Sequence, residues 1–165
     1  MVMKDRDSKA IFSDVVELKG RGIAGTVERV IENLKRLGPN RVIVKFDQEP
    51  ALVDLVNGVI EARDEATIPE CSPVGESQSN GMVERAVRSS KDQFRTLKLA
   101  LQTRLESNNP PRHAAMIWLV QHAGDVVSKC QVGHDGKTAY ERIMGKPFRE
   151  EVLEFGESVY YTLGE

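Results

Sequence analysis

The sequence predicts an α/β fold, and two observations carry that reading. Short β-branched runs alternate with segments of helical apolar spacing in the first half of the chain, and two long helical patterns fill the second half. A third observation bounds it: 165 residues with ordinary apolar and charged fractions suffice for one globular domain with a substantial core.

The run AIFSDVVEL, residues 10–18, is β-branched and aromatic, as a strand requires. After the Gly-rich GRG, the segment IAGTVERVIENLKRLG carries apolar residues at helical spacing and closes on Gly38. RVIVKFD, residues 41–47, is strongly β-prone, and Pro50 suits the first turn of a helix over ALVDLVNGVIEAR. ATIPECSPV supplies a short strand at most, because Pro69 and Pro73 remove ladder donors. A loop is expected from Gly75 through Gly81.

From Met82 to about Glu106 the sequence has neither Pro nor Gly, and Val83, Val87, Phe94, Leu97, Leu101 and Leu105 recur along one helical face. This predicts the longest helix. Beyond SNNPPRH, the run AAMIWLVQHAGDVV predicts a helix buried over much of its length. GHDGKTAYERIMGKPF reads as a turn, a short helix and a break, and EFGESVYYTLGE alternates weakly, as one strand would. No internal repeat or low-complexity segment interrupts the pattern.

No run approaches the ~18 apolar residues of a membrane span, and the N-terminus MVMKDRDSKA is too charged for a secretory signal. An intracellular protein without membrane partners is expected. Cys71 and Cys130 lie far apart and suggest no disulfide framework. Cys130 and His134 form a lone C-x3-H, but zinc takes about four ligands, and His113 and His122 follow a different pattern. A buried thiol and a loop histidine are the better reading.

Net charge is near neutral, so only its distribution points to a partner. Residues 47–76 hold eight acids and one base; residues 82–104 hold six bases and two acids. An acidic segment thus leads into a basic helix. Along that helix Glu84, Arg88, Lys91, Arg95 and Lys98 follow i, i+4, i+7, i+11 and i+14, a stripe able to bind consecutive phosphates of a nucleic acid. A solvated helix face explains the same pattern equally well.

Sites in open α/β sheets gather beyond the carboxyl ends of strands, and Asp47 ends RVIVKFD. Taken alone, Asp47 is better read as a cap of the following helix. Glu84 opens a helix after a polar loop and can approach that strand end. Two carboxylates offer hard oxygen ligands of the kind Mg²⁺ and Mn²⁺ take, together with water and substrate phosphate.

The segment SQSNGMVERAVRSSKD resembles the loop and helix that carry the third catalytic carboxylate of retroviral and retrotransposon integrases. RVIVKFDQEP resembles the strand bearing their second aspartate, and KTAYERIMGKPF resembles a segment downstream of retrotransposon cores. The thirty-six residues between Asp47 and Glu84 approximate the family spacing of that pair. The resemblance covers most of the chain, with an integrase-like core over residues 1–148, then a linker and the start of a β segment over residues 149–165.

The resemblance implies a ribonuclease-H-like mixed sheet flanked by helices, and metal-dependent DNA strand transfer by a retroelement integrase core. Asp47 and Glu84 would be catalytic metal ligands for Mg²⁺ or Mn²⁺. Gln78, Asn80, Arg88 and Lys91 would bind nucleic acid, and Gly75 and Gly81 would give the active-site loop its flexibility. DNA and further copies of the chain are the implied partners, with a nuclear location if the source is a eukaryotic retroelement.

Two departures from the family pattern stand out. Gln48 and Glu49 follow Asp47, so Glu49 could compete for the metal. The first family aspartate lies upstream of the segment resembled here, so the sheet is expected to lack its first strand, and Asp5 and Asp7 are not assigned in its place. Two further readings therefore stand beside the enzyme: a non-catalytic DNA-binding or assembly remnant of a mobile-element polyprotein, and an unrelated α/β binding domain.

Overall fold

A computed structural model describes residues 1–16, 25–73, 77–106, 113–158 and 160, with the backbone alone at 77–79. Its chain forms two compact units, Met1–Lys4 with Asp14–Val87, and Asp5–Ser13 with Arg88–Glu165.

The first unit contains β1 (Val2–Lys4), α1 (Thr26–Leu37), β3 (Arg41–Phe46), α2 (Pro50–Ala62), β4 (Ala66–Cys71) and the start of α3 (Ser77–Leu105); β2 (Ile11–Ser13) belongs to the second. Helix α1 begins where the Gly25 N–H donates to the Glu28 carboxylate at 2.9 Å, and it ends at Gly38, whose φ of 88° suits a residue without Cβ. Pro50 occupies the first turn of α2, where its missing N–H costs no intrahelical bond. Val30 and Leu34 of α1 pack against Leu55 and Val59 of α2, with Met1, Met3 and Val42 around them. Each such side chain contributes roughly 1.5–3 kcal/mol when fully buried.

Strands β3 and β4 pair in parallel, from Arg41 opposite Ala66 to Phe46 opposite Cys71. The period of two is visible in β3: Val42, Val44 and Phe46 are half-buried, while Arg41, Ile43 and Lys45 are exposed. The expected short strand is thus six residues long and runs through Pro69. Ser72 N–H donates to Phe46 O at 2.8 Å, so by alternation the nitrogen of Pro69, three residues earlier, points away from β3 and needs no donor there. Buried Arg63 closes α2 onto this pair. Its guanidinium donates to Thr67 Oγ1 at 2.9 Å and to Pro39 O at 2.8 Å.

The second unit contains β2, the rest of α3, α4 (Ala114–Cys130) and α5 (Ala139–Met144). All three residues of β2 are buried. Gly124 lets α4 approach this strand: a Cβ there would stand 3.0 Å from Ser13 Oγ and 3.2 Å from Ile11 O. Ser128 Oγ bonds Ile11 N and O at 2.9 and 3.1 Å, and Ser13 Oγ meets Ser90 Oγ of α3 at 2.9 Å. Leu101, Met116 and Leu119 form the core, with Phe94, Leu97 and Phe155 against it. Thr138 caps α5 by accepting from Glu141 N at 3.1 Å, and Gly145 ends the helix at φ 70°. The expected turn, short helix and break are found there.

Five expectations need correction. Helix α3 starts at Ser77, five residues before Met82, so Gln78 and Gly81 lie in its first turns rather than in a loop; Gly75 lies outside the described residues. Its packed face runs through Ala86, Ser90, Phe94, Leu97 and Leu101, while Val83 and Leu105 are exposed, because small residues permit the closest approach. Helix α4 buries Met116, Leu119, Ala123 and Gly124 but leaves Ile117 exposed and Trp118 70% exposed, so its apolar run is not buried all round. At Phe155–Gly156 the chain turns, and no strand follows among the described residues; positions 159 and 161–165 lie outside them. Only Ile11–Ser13 of the first expected strand is extended in a ladder, and positions 17–18 are likewise outside the description.

Candidate metal-binding site

Asp47 follows the last residue of β3 and is exposed, on the same side of the strand as Ile43 and Lys45. It does not cap α2: the N-cap position is Glu49, and backbone N–H groups of Leu52 and Val53 bond the Glu49 carbonyl. The Asp47 carboxylate instead accepts a hydrogen bond from the Asn80 side-chain amide. Asn80 Oδ1 in turn accepts from buried Ser72 Oγ at 2.8 Å.

Ser72 continues the parallel register one step beyond the Phe46 and Cys71 pair, and so stands beside Asp47 across the two strand ends. Its N–H goes to Phe46 O, and its carbonyl accepts from Gln48 Nε2 at 3.2 Å. Phe46 and Gln48 flank Asp47 in sequence, so Ser72 meets the backbone on one side of the aspartate and a side chain on the other.

Glu84 is exposed on α3, four residues after Asn80. Residues at that spacing have Cβ atoms about 5–6 Å apart on one helical face. Through Asn80, the helical turn that presents Glu84 is therefore tied to the strand end that presents Asp47. Both carboxylates supply hard oxygens to solvent, which fits a magnesium- or manganese-type ion that keeps several waters. Among the described residues no group of three or more His, Cys, Asp or Glu comes together as a metal centre.

Arg88 and Lys91, on the part of α3 that belongs to the second unit, are exposed. Further along α3 the basic charge is partly cancelled. Arg95 pairs with Asp92 at 3.0 Å, and Arg104 binds Glu154 at 3.0 Å and the Phe155 carbonyl at 2.5 Å. The side chain of Gln78 lies outside the described atoms.

The cysteine reading changes in one respect: Cys71 and Cys130 are free and exposed, not buried. Burial lowers the pKa of His122, opposed by the nearby Asp125 charge and reinforced by Lys129, and its ring lies 5.4 Å from that of Phe155. This is a packed histidine rather than a ligand.

The sequence singled out Asp47, Asn80 and Glu84 but not Ser72. A serine after a strand carries no distinctive signal. Its role follows from register, which places it opposite Asp47 only once β3 and β4 are paired.

No protein-family model matches the sequence, and no curated protein does. Solved structures do. The catalytic core domain of BIV integrase is similar with a TM-score of 0.60 at 16% identity, over 87% of this chain and 84% of that one. A chain from the simian T-cell lymphotropic virus intasome, determined in complex with the PP2A regulatory subunit B56 gamma, has a TM-score of 0.61 at 14% identity; the match covers 99% of this chain but spans about half of the other, 53%. The strand, helix and register that place Asp47 and Glu84 thus belong to a mixed α/β fold like that of a retroviral integrase catalytic core.

Proposed function

We propose that this chain is the core of an integrase-type polynucleotidyl transferase of a mobile element, acting on DNA. One observation carries the reading: Asp47, at the carboxyl end of a parallel strand, is bonded by Asn80, one helical turn before Glu84, in an integrase-core-like fold. A divalent metal bound by the two carboxylates would activate the attacking oxygen and stabilise the leaving one in phosphodiester chemistry. Arg88 and Lys91 bind backbone phosphate, contacts that position DNA without reading its sequence. Assembly into multimers and residence where genomic DNA is accessible belong to the same proposal.

The test is Mn²⁺-dependent cleavage or joining of labelled DNA by the chain and its variants. Asp47→Asn and Glu84→Gln should each abolish product while leaving the fold intact by circular dichroism. Product formation at the wild-type rate by either variant overturns the site assignment.

A second reading has its own observation, that the described residues assemble no three-ligand metal group. In it the chain binds DNA or assembles without cutting. It predicts salt-sensitive DNA binding that weakens when Arg88 and Lys91 become Ala, with no cleavage at any divalent metal concentration. Cleavage abolished by Glu84→Gln would eliminate this reading.

A further inference from the structure

We propose that Asn80 is a positioning residue for Asp47 and that buried Ser72 anchors the amide from which it acts. The functional meaning of this inference rests on the metal-ligand reading of Asp47 and Glu84; the hydrogen-bond chain does not.

An asparagine amide is an acceptor at one end and a donor at the other. Ser72 is 3% exposed, and its hydroxyl lies 2.8 Å from Asn80 Oδ1, which gives its proton an acceptor. In that arrangement the Asn80 Nδ2 protons point at Asp47 Oδ1. The flipped amide would set a carbonyl oxygen against a carboxylate oxygen with no proton between them. The acceptor-only carboxylate therefore selects the orientation in which asparagine donates, and the buried serine hydroxyl, free to donate to Oδ1, anchors the amide in it.

The chain starts from a fixed point, since the Ser72 backbone is bonded to Phe46 and Gln48, the neighbours of Asp47. It ends on one oxygen of a group with roughly four lone-pair sites, so capacity remains for a cation. It also runs through the helical turn that carries Glu84. Asn80 thus sets both the rotation of one carboxylate and the place of the other. Partners that orient ligating carboxylates typically change metal affinity by about 10–100-fold when removed.

Two measurements test the proposal. In the metal-free ¹⁵N-labelled chain, the side-chain amide resonances of Asn80 should move on Ser72→Ala and on Asp47→Asn. Resonances unmoved by both substitutions overturn the hydrogen-bond chain. Because buried Ser72 could matter to folding, Asn80→Ala provides the second arm: Mn²⁺ binding followed by electron paramagnetic resonance should weaken about tenfold or more, with an unchanged circular dichroism spectrum. Equal affinity in wild type and Asn80→Ala overturns the positioning role. Mn²⁺ binding that ignores Asp47→Asn and Glu84→Gln defeats the metal-site reading instead, and the amide resonances then still decide the chain.

Discussion

Asp47 and Asp135 are both exposed aspartates bonded to a nitrogen-bearing side chain, yet their partners differ in kind. Asp47 accepts from the neutral amide of Asn80, which orients the carboxylate without cancelling its charge. Asp135 faces a guanidinium: Arg142 Nε donates to Oδ2 at 3.1 Å while Nη2 bonds Oδ1. Arg142 also donates to the carbonyls of Ser8 and Lys137, each at 3.0 Å, and the missing side chain of Gly133 makes room for it. The hydrogen bond from Arg142 holds the Asp135 pKa down to about 2. A carboxylate with a charged, forked partner is committed to holding a loop, whereas one with an amide partner retains its charge for a ligand.

The sharpest way to break this comparison is to neutralise each aspartate. On the proposed function, Asp47→Asn should lower Mn²⁺-dependent DNA cleavage by about 100-fold or more, beyond the usual loss from an outer partner, with no fall in thermal midpoint. Asp135→Asn should do the reverse, lowering the midpoint and leaving activity per folded molecule unchanged. Thermal unfolding by circular dichroism and cleavage of labelled DNA read the two effects separately. A fall in midpoint for Asp47→Asn with cleavage intact would make both residues structural.

The sequence distinguished these aspartates only in part. The hydrophobic period placed β3 and its terminal Asp47, because Val42, Val44 and Phe46 alternate with polar or exposed neighbours in a way few other arrangements satisfy. It placed α3 and Glu84 for the same reason. It missed the first turns of that helix, since Gly81 and the polar residues before it have weak intrinsic helix preference, and Gly costs about 1 kcal/mol relative to Ala. Nor did periodicity reveal Ala86 and Ser90 as packed positions. Such small residues are buried because a neighbour comes close, as Ser13 does to Ser90, and that is a tertiary fact. The partners Ser72 and Arg142 were illegible for the same reason: 25 residues separate Ser72 from Asp47, and 134 separate Arg142 from Ser8.

Acid titration sharpens the comparison with a smaller effect. The folded Asp135 pKa lies near 2, below its ordinary value of 3.8, so the folded state holds fewer protons there than the unfolded state between those pH values. Its stabilising contribution is complete above about pH 4 and is lost as the pH falls towards 2. Urea midpoints measured from pH 5 down to pH 2 should therefore fall further for the wild type than for Asp135→Asn, and the two curves should converge. Parallel curves over that range would remove Arg142 as the source of the depressed pKa.

The smallest effect on stability is expected at Asp92, which pairs with Arg95 at 3.0 Å where both side chains are mostly exposed. Solvent and salt screen such a pair, so Asp92→Asn should change stability by no more than about 0.5 kcal/mol. Its consequence for binding should be larger than its consequence for folding. On the proposed function Asp92 cancels one charge of the phosphate-binding stripe, and removing it releases Arg95 to neutralise a further phosphate. DNA affinity should then rise at low salt, and the slope of log affinity against log salt should steepen by about one. Titration of a labelled duplex at several salt concentrations reads both quantities; an unchanged slope would confine the working cations of α3 to those before Asp92.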